Sequence, residues 1–180
     1  DAGDMYSLLG WAFQRGVGQP VDGYKKPCRV FAACAAAAIY RRDVFEEIGY
    51  FDESHFAYLE DVDVGYRARI YGYDNVYCPA AELYHVGSGT SGSKYNSFKV
   101  KLAARNNLYL NYKNMPLLQL ILNLIPLVLG YLVKYAFFLK KGWGKDYKEG
   151  VTEGLKTMKA QKKVPFRLKH LPNYLMIEIE

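Results

Sequence analysis

The sequence predicts an α/β body followed by amphipathic helices, on three observations. Short apolar runs that read as strands alternate with segments of helical period, and Gly and Pro punctuate the joins. After Pro116 the character changes to an almost continuous apolar stretch, Leu117 to Leu139, whose polar exceptions recur every three or four residues. Charge is also divided: residues 1–133 carry 13 Lys/Arg and 13 Asp/Glu, whereas 134–170 carry 11 Lys/Arg against three acids. With 51% hydrophobic and 23% charged residues, the 180-residue chain has the composition of a folded protein and not of a disordered one. The expected division is a body over 1–115 and a basic helical tail over 116–180.

Taken in order, residues 1–30 mix Gly, Pro and aromatics without a clean period and read as loop with a short helix or strand. Val30 to Tyr40 is a continuous run of small apolar residues, which fits a strand buried on both faces or a buried helix, its β-branched and aromatic ends favouring the strand. Asp43 is placed to cap a helix through Glu46, Glu47 and Ile48, with Gly49 as its stop. Glu60 to Tyr71 has apolar residues at helical spacing and Gly72 where a left-handed cap belongs. Val76 to Cys78 and Glu82 to His85 read as short strands, Gly87 to Ser93 as a loop, and Phe98 to Tyr112 as a helix ending before Pro116. A last amphipathic helix carries Tyr147, Val151, Leu155 and Met158 on one side and lysines on the other.

Three cysteines without a C-x-x-C pair indicate neither a zinc site nor a disulfide framework, and they read as reduced thiols in a cytosolic compartment. The start, Asp1-Ala-Gly-Asp4, has no initiator Met and no signal peptide and reads as the middle of a longer protein. A localised basic stretch beside an apolar segment points to anionic lipid headgroups and not to nucleic acid; the plain alternative is a solvated helix face.

The informative segment is Phe51 to Arg69, in which Glu60, Asp61 and Asp63 open a helix and Arg67 and Arg69 follow two turns on. Acids at a helix N-terminus are favourable by themselves, because the free N–H groups and the helix dipole accept negative charge. Capping alone therefore accounts for all three.

Five linked pieces add a second reading. Tyr40-Arg41-Arg42, Gly49-Tyr50-Phe51-Asp52-Glu53, Phe56 through Tyr73, Pro79 through His85, and Arg105-Asn106 occur in one order and spacing. That pattern resembles the acceptor-side half of family 2 glycosyltransferases with a GT-A (Rossmann-like) fold, in particular the rhamnosyltransferase-like members. The resemblance covers roughly residues 30–115. It implies an inverting transfer from a nucleotide-diphosphate-sugar donor to a glycan or lipid-linked acceptor, in the making of surface polysaccharide or cell-wall glycan. It assigns Asp61 as general base, with Glu60 orienting the acceptor or Asp61 itself. It also implies a divalent cation, Mg²⁺ or Mn²⁺, with His85 as one ligand; a lone histidine is otherwise a packed or exposed residue. The loop from Gly87 to Ser93 becomes a lid over the donor phosphates or remains a plain linker.

Tyr58, Asp63 and Arg105 are further candidates for substrate contact. Asp63 is alternatively a helix cap or a partner of Arg67 four residues on, Arg105 a phosphate contact or a structural strut, and Asn106 a structural bond to a neighbouring loop. The family's donor half, with its Asp-x-Asp, is expected upstream of Asp1. Asp1 and Asp4 are not read as that motif, because no strand precedes them.

The apolar stretch of 117–139, about 34 Å as a helix, is long enough to span a bilayer core of about 30 Å. Its stripe of Gln119, Asn123, Gly130 and Lys134, interrupted by Pro126, favours instead a helix lying in the interface with lysines towards the headgroups; the third alternative is a helix packed against the domain or another subunit. The expected location is the cytoplasmic face of the cell membrane, as a peripheral protein. The competing function is a membrane-binding module without catalysis, in which the acids only cap their helix.

Overall fold

The computed structural model describes residues 1–85 and 92–179, so the expected loop of Gly87 to Ser93 lies largely outside the described residues. Helix predominates over two small antiparallel sheets. Strands β1 (Asp4–Tyr6) and β2 (Ala12–Gln14) form a hairpin, and β3 (Cys28–Val30) pairs with β4 (Asn75–Tyr77). The sheets are stitched together where the Asp4 amide donates to Ala32 O at 2.9 Å and the Phe31 amide donates to Asp4 O at 2.8 Å.

The small-residue run is not one strand. β3 ends at Val30, Phe31 and Ala32 are buried beyond it, Ala35–Ala37 make a 3-10 turn, and Ile39 stands fully in solvent. The alanines serve close approach instead. A Cβ added to Gly65 in the following long helix would sit 2.4 Å from the Cβ of Ala32, so helix and chain touch backbone to backbone there. Glu82 to His85 also forms no strand and is exposed.

Helix α1 (Arg42–Ile48) starts one residue before the expected cap. Arg41 occupies the cap position, while Asp43 lies in the first turn and pairs with Arg41. Gly49, at φ +85°, ends the helix as anticipated. Helix α2 (Glu60–Ile70) is followed by Gly72 at φ +90°. Its residues Val62, Tyr66 and Ile70 enter the main core with Phe31, Ala32, Leu110, Met115, Leu127 and Tyr174.

Helix α3 (Ser97–Asn114) is capped by the Asn96 side chain, which accepts from the Lys99 amide at 2.9 Å. The apolar stretch then divides into α4 (Leu117–Leu122) and α5 (Leu124–Lys140), broken at Asn123. Among the described residues no helix is long and apolar enough to cross a membrane. Helix α6 (Gly144–Thr157) lies against α3, where a Cβ on Gly150 would fall 2.2 Å from Lys101 O. Helix α7 (Leu171–Ile179) returns to α2, with Asn173 Nδ2 donating to Ile70 O at 2.9 Å.

The polar stripe of the apolar stretch faces the protein, not a headgroup layer. Asn123 Nδ2 donates to Glu178 at 2.6 Å, Gly130 lies on the backbone of Leu9, and the Lys134 ammonium sits 4.8 Å from the Trp11 ring centre. Burial pulls the Lys134 pKa down to about 8. The face left in solvent is apolar: Leu118, Ile121, Ile125, Leu129 and Leu132 are all exposed.

A buried ionic cluster ties α1, α2 and α3 together. Asp63 is wholly buried; its Oδ2 accepts from Arg67 Nε at 2.9 Å and Lys113 Nζ at 3.0 Å, and its Oδ1 from Asn114 at 2.8 Å. Burial opposes ionisation of this carboxyl, yet Lys113 and Arg67 hold its pKa below the usual carboxylate value. Lys113 also pairs with Asp52, and the Arg67 guanidinium donates to the carbonyls of Ile48, Gly49 and Tyr50 at 2.7, 2.7 and 2.8 Å. Asp63→Ala takes the shared buried carboxylate from Arg67 and Lys113 and is expected to cost about 3–5 kcal/mol in denaturant unfolding. A loss under 1 kcal/mol would contradict this reading of the cluster.

Candidate functional site

The approach to α2 is strained. Phe56, Tyr58 and Leu59 have φ of 61°, 68° and 68°, the only non-glycine residues with positive φ among the described residues. Each such residue costs on the order of 1–3 kcal/mol and persists only where its surroundings over-determine it. Here Asn106 on α3 does so. Its Nδ2 donates at 2.8 Å to the carbonyls of His55, Ala57 and Tyr58. Arg105 adds bonds from NH2 to Ser54 O at 3.1 Å and His55 O at 3.4 Å, while its Nε donates to Asn106 Oδ1 and its NH1 pairs with Glu153. Arg105 is thus a strut whose donors are engaged within the fold.

His55, wholly buried inside this turn, has no hydrogen-bond partner on either ring nitrogen among the described residues and packs edge-on against Tyr109 at 6.0 Å. Burial drops its pKa to about 4, so the ring is neutral at physiological pH.

The strained turn delivers Glu60 and Asp61 to the first turn of α2, both half-buried. Asp61 Oδ1 accepts from the Val62 amide at 2.8 Å, and Oδ2 accepts from the Ala35 amide at 3.0 Å. One oxygen therefore caps its own helix while the other is held by the alanine segment. Glu60 Oε2 is buried without a partner among the described residues, and burial, reinforced by the charge on Asp61, raises its pKa. A carboxyl oxygen of Asp4, the Cys34 sulfur and an oxygen of Asp61 lie within 4.8 Å of one another, the one such group of potential metal-ligating atoms among the described residues. Two carboxylates and a thiol are a mixed donor set, ill matched to hard Mg²⁺.

The other anticipated residues are dispersed. Tyr58 is half-buried, and its carbonyl is taken up by Asn106. Asp63, a candidate substrate contact in the sequence, is sealed in the ionic cluster, where burial and three donors leave it nothing to offer a sugar. His85 is exposed and belongs to no group of three potential ligands among the described residues, so a cation there needs donors from elsewhere. A cavity of about 670 Å³ lies between the β-hairpin, α4 and α7, lined by Tyr6, Tyr66, Gln119 and Glu178 among others, and neither Asp61 nor His85 lines it. Sequence reasoning missed Asp4, whose burial depends on the bridge to Ala32, and His55, which sits within the motif but bears no sequence sign of burial.

With this geometry in place, the chain can be set beside known proteins. It is 43% identical over 54 residues to an N-acetylglucosaminyl-diphospho-decaprenol L-rhamnosyltransferase of Mycobacterium tuberculosis, in two strains. That match covers 30% of this chain and 18% of the relative. It is also 37% identical over 62 residues to an uncharacterized protein of Sinorhizobium fredii, covering 34% of this chain and 7% of that protein. The chain thus matches well under two thirds of the length of these relatives. No family model matches, and no solved structure matches. Part of the chain is related to a glycosyltransferase.

Asn106→Ala removes the amide that serves three carbonyls, and unpaired buried acceptors cost about 1–3 kcal/mol. Amide hydrogen exchange should quicken over residues 55–62 while α6 and α7 stay protected. Uniform protection across that turn would show that the strain is held by other means.

Proposed function

We propose that this chain carries the acceptor side of an inverting glycosyltransferase, with Asp61 as general base. In a single displacement, the acceptor hydroxyl oxygen bonds to the anomeric carbon as the bond to the nucleotide diphosphate breaks. The hydroxyl proton passes to Asp61, and the electron pair leaves with the diphosphate. The observation that supports this best is the pinned, strained turn that presents Asp61 half-exposed on a rigid helix end; strain of this kind gathers at functional sites. The relation to a sugar transferase agrees with it.

Glu60, whose Oε2 has no partner among the described residues, is proposed to orient the acceptor hydroxyl. Tyr58, one residue before the last strained position, is proposed to flank the acceptor. His85 is proposed as one ligand of a divalent cation, Mg²⁺ or Mn²⁺, the remaining donors coming from outside these residues; when bound, such a cation neutralises charge on the departing diphosphate. The donor is proposed to be a nucleotide-diphosphate-sugar. The acceptor is proposed to be a glycan or lipid-linked sugar, by analogy with the diphospho-decaprenol in the relative's name.

In the full-length protein, Asp61→Asn keeps size and polarity but removes the base, so sugar transfer should fall by about 10²–10⁴-fold. Unchanged turnover would favour the reading in which the acids only shape a helix end.

A peripheral position on the cytoplasmic face of the membrane is proposed on the outward apolar face of α4 and α5 and the lysines that follow it, Lys140, Lys141, Lys145 and Lys148. The full-length protein without detergent should bind phosphatidylglycerol vesicles at low salt and release as salt rises. Ile125→Asp with Leu129→Asp should abolish retention, and binding that ignores both changes would rule this face out.

A further inference from the structure

Asp4 is a buried acid for which the proposed reaction has no use. The residue is 6% exposed, and the charge on Asp61 bears on its carboxyl group. Its own amide and carbonyl are fixed by Phe31 and Ala32, so the side chain has little freedom to turn away. Asp61, whose nearest oxygen lies within 4.8 Å, has an N–H donor on each oxygen. The titratable groups that bear on Asp4 and its neighbours are Cys34 after β3, Tyr40 before α1, and Glu60 and Asp61 on α2; every one is an acid. Among the described residues, the amino group of Asp1 is the positive charge that bears on Asp4.

We propose that Asp4 and Asp61 form a coupled carboxyl pair in which Asp4 holds a proton below neutral pH, which makes Asp4 a positioning residue beside the proposed base. The inference rests on the reading of Asp61 as base. Two carboxylates this close, one of them nearly dry, do not both ionise readily. Environment separates the two: Asp4 is nearly dry, whereas Asp61 accepts from an amide on each oxygen. Burial first, and the charge on Asp61 second, push the Asp4 pKa up to about 7. No bond forms or breaks at Asp4; its proton stays in place through the transfer. Because this pKa is raised on folding, the stabilisation from Asp4 is present in acid and is lost as pH rises through about 7.

The test uses the full-length protein and three readouts. Difference infrared spectroscopy should show a protonated-carboxyl band that disappears as pH rises through about 7, that is absent in Asp4→Asn, and that titrates lower in Asp61→Asn. Activity of Asp4→Asn should lie within about threefold of the wild type at pH 6 and diverge from it above pH 7, because the variant is neutral at every pH. The unfolding midpoint should fall with rising pH more steeply in the wild type than in Asp4→Asn. Parallel activity profiles from pH 5.5 to 8.5, or no band in the wild type, would overturn the pair; the band needs no variant, so a misfolded Asp4→Asn leaves the test intact. Normal transfer by Asp61→Asn would remove the base assignment alone, since the infrared shift reports the pair without reference to catalysis.

Discussion

A single carboxylate out of reach of water organises the body of this protein. Asp63 gathers Arg67, Lys113 and Asn114, and through them the carbonyls at the end of α1 and the side chain of Asp52. Such a cluster adds little net stability when formed, because each ion surrenders its hydration. Its value lies in what happens when geometry is wrong: any displacement of α1 or α3 leaves a charge in the interior without a partner. The cluster thereby fixes where α2 begins relative to α3, and that in turn sets the distance over which Asn106 reaches the strained turn. Asp61 inherits its position from this chain of constraints.

Local chemistry was readable from the sequence. Gly49 and Gly72 stop their helices where expected, and the period of α2 and α3 is plain. What could not be read were the partners. Asp63 lies 50 residues from Lys113, and nothing in the local spelling separates an acid that caps from one that is swallowed by the core. The run from Val30 to Tyr40 misled for a related reason. Small apolar residues suit a buried strand, but they equally suit contact with Gly65, which only the folded arrangement brings near. Of the candidate site, the Glu60–Asp61 turn was legible as a helix start with a possible chemical use, whereas the proximity of Asp4 was not, because it depends on strand pairing with Ala32.

The apolar helices teach the same lesson about direction. A period reveals that a stripe exists but not which side meets the protein. In α5 the polar seam finds partners inside, on Trp11 and the Leu9 backbone, and in the break before it Asn123 meets Glu178. Satisfying those groups internally turns the leucines and isoleucines outward. The result is an inverted amphipathic surface, where the hydrophobic effect favours contact with something other than water.

Asn106 serves three carbonyls with two hydrogens, so one hydrogen is shared between acceptors. An aspartate there would aim negative charge at a ring of oxygens, and a glutamine would overshoot by a methylene. The position therefore admits essentially one side chain for reasons of main-chain architecture. Natural variants altered at this residue should be judged as folding defects, and a change in sugar preference should be sought at other residues.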